Sequence, residues 1–317
     1  MKESDAMITK PIDVLQHFPI RKSKAQKAAF RDEVTQYAQA QGYAVNVEKG
    51  SFGAQNIVIG NPGKAKYLIT AHYDTPASIG IPNFLTPCNP VTYLVYQILL
   101  VGAFLGVAFL AGSLANMVTD NRRLIILAGY VVYMGLLLLM LFGPANRHNA
   151  NDNTSGVVSV LQIASSLPEA ARENVAFVLF DLEEAGLIGS SAYRKAHKDQ
   201  TEQQIVLNLD CVGDGDHIVF FPVKKAKKNE TLLQKLRSVC GEKDGKTLSL
   251  RDRGFAAGSS DHTNFPNGVG TMAFHKAKVI GLYCDRIHTW RDKILDESNV
   301  TFITEAILTL ICDEKEN

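Results

Sequence analysis

Neither sign of charge dominates this chain of 317 residues: 33 lysines and arginines face 32 acids, giving a net charge of +1. With those charges interspersed there is no field to hold a phosphate backbone, so nucleic acid is not an expected partner. The basic run K-K-A-K-K at 224–228 reads first as a solvated loop, with contact to anionic lipid headgroups as the alternative. Cysteine is scarce. The five present (88, 211, 240, 284 and 312) are odd in number and form no Cys-x-x-Cys pair, which argues against a disulfide framework and a thiolate zinc module and for a reducing compartment. No repeat or low-complexity stretch breaks the chain, and no basic-then-apolar leader occurs in its first ninety residues.

What the chain does contain is a set of acids and imidazoles, each at the end of an apolar run. The segments are A-H-Y-D-T (71–75), N-D-N-T-S-G (151–156), F-D-L-E-E-A-G-L-I-G-S (180–190), L-N-L-D-C-V-G (207–213) and I-H-T-W-R-D (287–292). They supply His72, Asp152, Glu184, Asp210 and His288 as metal-capable side chains, with Glu183 as an adjacent acid. Zinc accepts imidazole nitrogen and carboxylate oxygen, and two ions sharing one carboxylate need about five protein ligands.

Each motif alone has an ordinary explanation. His72 and Asp74 alternate along a strand and project to one side, so Asp74 can orient the imidazole of His72; a salt-bridged Asp beside a satisfied His has the same spelling. Asp152 precedes an apolar helix, where an N-cap is common. Glu183 and Glu184 suit a solvated helix start. Their joint occurrence in one chain is what favours a dinuclear metal site.

With these segments the chain resembles the co-catalytic, two-zinc aminopeptidase family that includes bacterial leucyl aminopeptidases, glutamate carboxypeptidase II and glutaminyl cyclases. The resemblance implies two zinc ions, with Asp152 bridging, His72 and Asp210 on one ion, and Glu184 and His288 on the other. It further implies Glu183 as general base, Asp74 as its catalytic companion, a cis peptide bond after Asp152, and hydrolytic release of an N-terminal residue from a peptide or aminoacyl substrate. The segment 258–265 is similar to the family's loop beside the active site, which makes Asp261 and His262 substrate-contact candidates; Trp290, the only tryptophan, either walls the pocket or packs in the core. Cys211 departs from the family pattern, where an apolar residue is common.

The resemblance is interrupted once. Residues 91–115 and 124–142 are apolar and uncharged, and about 20 such residues cross a hydrocarbon core. The polar link 116–123 between them makes a hairpin with both ends on one side. Gly102 and Gly106 have the small-xxx-small spacing that lets helices approach closely, and Tyr93 and Tyr96 sit where interfacial aromatics do. Removing residues 91–143 shortens the gap from His72 to Asp152 to that of an ordinary strand-loop-helix connection. One catalytic domain (1–90 and 144–317) with an inserted transmembrane hairpin (91–143) is therefore expected. The partners are then the lipid bilayer and, through the hairpin, a second copy. Ninety residues with charges among them ahead of the first span favour a cytoplasmic catalytic domain, although Arg122 and Arg123 in the link lean the other way.

Buried strands alternating with amphipathic helices predict a three-layer α/β/α sandwich with a mixed, mostly parallel sheet. Strands are expected at 43–47, 56–59, 67–71, 175–180, 205–210 and 217–222, and helices at 23–41, 155–166, 190–197, 231–239 and 299–312. Three function classes remain: a membrane-anchored zinc aminopeptidase, a glutaminyl cyclase or other amide hydrolase of the same fold, and an inactive membrane scaffold. No ligand-type residue is missing, which favours the first.

Overall fold

A computed structural model describes residues 8–78, 80–252 and 259–312. After a short helix, α1 (Asp13–His17), the longer α2 (Lys24–Ala40) starts at a capping box in which Ser23 and Gln26 each bond the other's backbone N–H. Its stop follows the expected logic, with Gly42 at φ +85°.

The strands are β1 (Val45–Lys49), β2 (Gln55–Ile59), β3 (Tyr67–His72), β4 (Val175–Phe180), β5 (Ile205–Leu209), β6 (His217–Pro222), β7 (Gly241–Lys243), β8 (Lys246–Leu250), β9 (Gly268–Ala277) and β10 (Gly281–Tyr283). They form one sheet in the order β1-β2-β4-β3-β5-β9-β6-β8-β7, with β10 on β9. The sheet is mixed, as expected. Parallel pairing joins β4, β3, β5 and β9 at the centre and β6 to β8, while the other pairings described are antiparallel, so the parallel share is central and not the majority.

Strand periodicity sorts the core. Tyr67, Ile69 and Ala71 of β3, Val175, Phe177 and Leu179 of β4, and Ile205, Leu207 and Leu209 of β5 share one face with α2, α5 (Gly156–Ser166), α8 (Glu230–Ser238) and α9 (Glu297–Cys312). Leu68, Ala176, Val178, Phe180 and Val206 turn the other way, toward Tyr193 of α6 (Ile188–Ala196) and Phe265. Helix α7 (Lys198–Gln203) follows α6 directly.

The central β9 was not expected, because glycine is depleted in strands. Its glycines have a packing reason: a Cβ on Gly268 would lie 2.0 Å from the His262 carbonyl oxygen, and one on Gly270 would lie 2.6 Å from the His262 ring.

Two helices, α3 (Pro90–Asn116) and α4 (Arg122–Phe142), are long and apolar enough to cross a membrane. They pack on each other and leave most of their side chains exposed. Close approach runs through Ala108, Gly112 and Gly129, where a Cβ on Gly129 would meet the Ala108 carbonyl oxygen at 3.0 Å. Gly102 and Gly106, the pair suggested by spacing, face open space. The chain leaves and returns at one point: Ser78 N–H donates to the Pro144 carbonyl (2.8 Å) and Asn146 N–H to that of Pro76 (2.9 Å).

Candidate active site

Three adjacent parallel strands deliver their C-terminal ends to one place, where an open α/β sheet offers ligand positions. His72 ends β3, Glu183 and Glu184 follow β4, and Asp210 follows β5. Asp152 comes from the kinked turn Ala150–Ser155 ahead of α5, and His288 from the loop after β10. The Asp152–Asn153 peptide bond is cis, as the resemblance implies.

Hydrogen bonds anchor each of these segments. Asp74 accepts from the backbone N–H of Glu183 (3.0 Å) and Glu184 (3.3 Å), and its Oδ1 lies 3.5 Å from His72 Nδ1. The end of β4 is held by Asn56, which accepts from Asp181 N–H and donates to the Gly189 carbonyl, and by the buried Lys27–Asp181 pair at 2.7 Å. Asn153 accepts from Gly156 and Cys211 N–H and donates to the Leu209 carbonyl, linking the Asp152 turn to the β5 terminus. Leu182, Leu187, Cys211 and His288 all have φ between +55° and +61°, the left-handed region that ordinary side chains avoid. Two of them, Cys211 and His288, line the cleft, and Leu182 immediately precedes Glu183, so the backbone is bent where it delivers these side chains.

Asp152 presents one oxygen to each imidazole. Its Oδ1 lies 3.4 Å from His72 Nε2 and its Oδ2 lies 3.1 Å from His288 Nε2. Asp210 Oδ1 is 3.6 Å from the first nitrogen, and Glu184 Oε2 is 3.6 Å from the second. Two donor atoms each about 2.05 Å from a tetrahedral zinc stand about 3.3 Å apart, so both triads have the spacing of a ligand set.

Electrostatics agree with that fit. Burial, reinforced by the charges of Asp152 and Asp74 and opposed by His288 and His72, pushes Glu184 up to about 8. Burial likewise carries Glu183 well above the usual carboxylate range, against the nearby His72, with Glu184, Asp261 and Asp210 adding to the rise. Carboxylates this crowded and buried need positive charge among them to stay ionised.

The cleft above them has a volume of about 300 Å³ and is lined in part by Tyr93, Cys211, Phe221, His262 and Met272. Of the three substrate-contact candidates, His262 reaches the cleft. Asp261 is buried and outside the lining, and burial raises it to about 7. Trp290 is 66% exposed beneath Lys293, so it neither walls the cleft nor packs in the core. His288 lies in a turn five residues beyond the end of β10, with left-handed backbone, so strand alternation does not place Trp290 on its side. Of the loop 258–265, residue 258 lies outside the described residues.

Two supporting residues went unrecognised in the sequence. Asp292 accepts from Asn151 N–H (2.7 Å) and Asp152 N–H (3.0 Å); its signal was an acid four places after His288. Arg21, wholly buried, donates from Nε to the Tyr73 carbonyl (2.5 Å), from Nη1 to the Phe18 carbonyl (2.6 Å) and from Nη2 to Thr154 Oγ1 (3.1 Å). No local pattern announces it.

Solved structures share this architecture. A Zn-dependent exopeptidase from Parabacteroides distasonis superposes with a TM-score of 0.62 at 14% identity, covering 97% of this chain and 98% of its own. The glutaminyl cyclase of Porphyromonas gingivalis gives 0.62 at 17%, covering 98% and 100%. The LapA aminopeptidase of Legionella pneumophila gives 0.57 at 13%, covering 98% and 72%. At these identities the likeness is one of fold. No curated protein matches the sequence. The sequence itself matches Peptidase family M28 over residues 136–310, a span holding Asp152, Glu183, Glu184, Asp210 and His288 and beginning after His72 and Asp74. Matched over more than half of its 317 residues, the chain belongs to peptidase family M28.

Proposed function

We propose that the protein is a membrane-anchored, zinc-dependent aminopeptidase: one catalytic domain (1–90 and 144–317) carrying an inserted transmembrane hairpin (91–143). The observation that carries this reading is Asp152, whose two carboxylate oxygens each face a different imidazole within a triad of zinc-ligand spacing. In it His72, Asp152 and Asp210 would hold one ion, and Asp152, Glu184 and His288 the other. Zinc held there would supply Lewis acidity, for acidifying water near neutral pH and polarising a carbonyl.

The chain's own residues do the rest. Glu183 takes the proton of the attacking water and passes it to the leaving nitrogen, a task that suits an acid whose burial lifts its proton affinity. Asp74 is a positioning residue, holding the Glu183 and Glu184 backbone and facing His72. The cleft beside these residues seats the peptide near His262.

Two zinc ions per chain, with release of the first residue from aminoacyl amides by detergent-purified protein, are the expected results. Removal of the metal by chelator should abolish turnover, and zinc should restore it. One ion per chain with cyclisation of N-terminal glutamine would replace this reading by the cyclase one. Trp290→Ala is expected to leave kcat/KM within about twofold of the parent, since an exposed side chain away from the cleft contributes little; a large loss on the same amides would return Trp290 to the substrate site.

A further inference from the structure

A second cavity of about 140 Å³ adjoins the cleft, bounded by Ile81, Tyr96, Leu100, Met140 and Leu141 and ending at Glu184 and His288. The two spaces share Asn83, Glu184 and His288 in their walls, so they lie side by side. Tyr96 and Leu100 come from the opening turns of α3, and Met140 and Leu141 from the last turn of α4. The wall is braced: the Tyr96 hydroxyl donates to the Pro82 carbonyl, and its ring packs 5.9 Å from Phe84. Leu85 and Cys284 pair backbone to backbone in both directions (2.9 and 3.0 Å), tying the approach to α3 onto the catalytic body.

Apart from Asn83, the tyrosine hydroxyl and the two residues at its inner end, this lining is apolar. An apolar cavity of about 150 Å³ is large enough to take up benzene, so a phenyl or branched aliphatic group fits this one. We propose that the cavity is a specificity pocket for an apolar side chain of the residue being released, with the hairpin forming its wall. This rests on the aminopeptidase reading and adds a recognition role to the anchor. It also accounts for the proximity of two hairpin helices to Glu184 and His288, which anchoring alone does not require.

The test uses the full chain in detergent. The parent protein should hydrolyse leucyl and phenylalanyl amides with a kcat/KM about tenfold or more above that for the alanyl amide, as burial of the extra carbons demands. Leu100→Trp, which fills the cavity, should erase that preference by bringing the leucyl and phenylalanyl kcat/KM down to that of the alanyl amide. Leu100→Ala should shift the preference toward phenylalanyl. Met140→Trp fills the cavity from the other helix and guards against misfolding of the first variant.

Binding of leucinol and alaninol, measured by calorimetry, reads the same pocket without turnover. Hydrolysis whose side-chain preference ignores positions 100 and 140 would overturn the pocket alone. Absence of hydrolysis with a leucinol preference that Leu100→Trp removes would overturn the aminopeptidase reading and leave the pocket. Neither hydrolysis nor a leucinol preference would overturn both.

Discussion

Glu183→Gln is expected to lower kcat about 1,000-fold with zinc content unchanged, within the range by which a positioned acid or base accelerates a reaction. The substitution keeps the shape of the side chain and replaces the proton-accepting carboxylate by a neutral amide, whose nitrogen donates and does not accept. Glu183 lies within ligand distance of His72 and Glu184, so its carboxylate is also placed where it could bind an ion. The two roles separate cleanly: metal analysis of the variant beside its steady-state rate distinguishes a lost base from a lost ligand. A variant with less zinc than the parent would make Glu183 a ligand, and one with near-parental activity would remove it from the chemistry. Asp152→Asn provides the contrast, because loss of the shared carboxylate should lower zinc occupancy and activity together.

Arg21→Ala should cost about 3 to 5 kcal/mol of stability, a size seen when buried polar networks lose a charged member. The side chain is wholly buried, and its guanidinium joins the carbonyls of Phe18 and Tyr73 to the hydroxyl of Thr154. Its removal leaves two buried carbonyls without this donor and opens a cavity among the arm before α2, the segment after β3 and the turn holding Asp152. Burial lowers the guanidinium to about 10, with Asp74 and Asp152 opposing, so the charge persists at neutral pH. The apparent midpoint of thermal unfolding should fall on the order of 10 °C. Arg21→Lys is expected to recover only part of this, since one ammonium cannot reproduce the planar fork that meets three acceptors. A midpoint unchanged in Arg21→Ala would show that the arm contributes nothing to the site's support.

The ligand-type residues other than His288 were legible because each follows a short run of buried strand or precedes a helix, and a strand end places its last side chain predictably. His72, Glu183, Glu184 and Asp210 are the residues just at or beyond β3, β4 and β5. The two long apolar helices were legible for a different reason: each follows from an uncharged run of about 20 residues, long and apolar enough to cross a membrane. Their ends fell close to those expected, while their packing face did not. Gly102 and Gly106 have the spacing but not the rotation that faces α4, and rotation about a helix axis depends on the partner helix.

What the sequence by itself determined, then, is local: the run of strands and helices around the motifs, the residue types that could hold a metal, and the presence of two long apolar helices. Tertiary structure alone decided which distant groups support them. The reach of Arg21 to Thr154, the acceptance by Asp292 of two N–H groups from the Asp152 turn, and the cavity shared by the hairpin with Glu184 and His288 all join residues far apart in the chain. The same is true of β9, whose glycines run against strand propensity until His262 is seen packed on them. Contacts of this kind carry no periodicity, because they arise from where the sheet brings its strand ends together and not from the order of residues along any one segment.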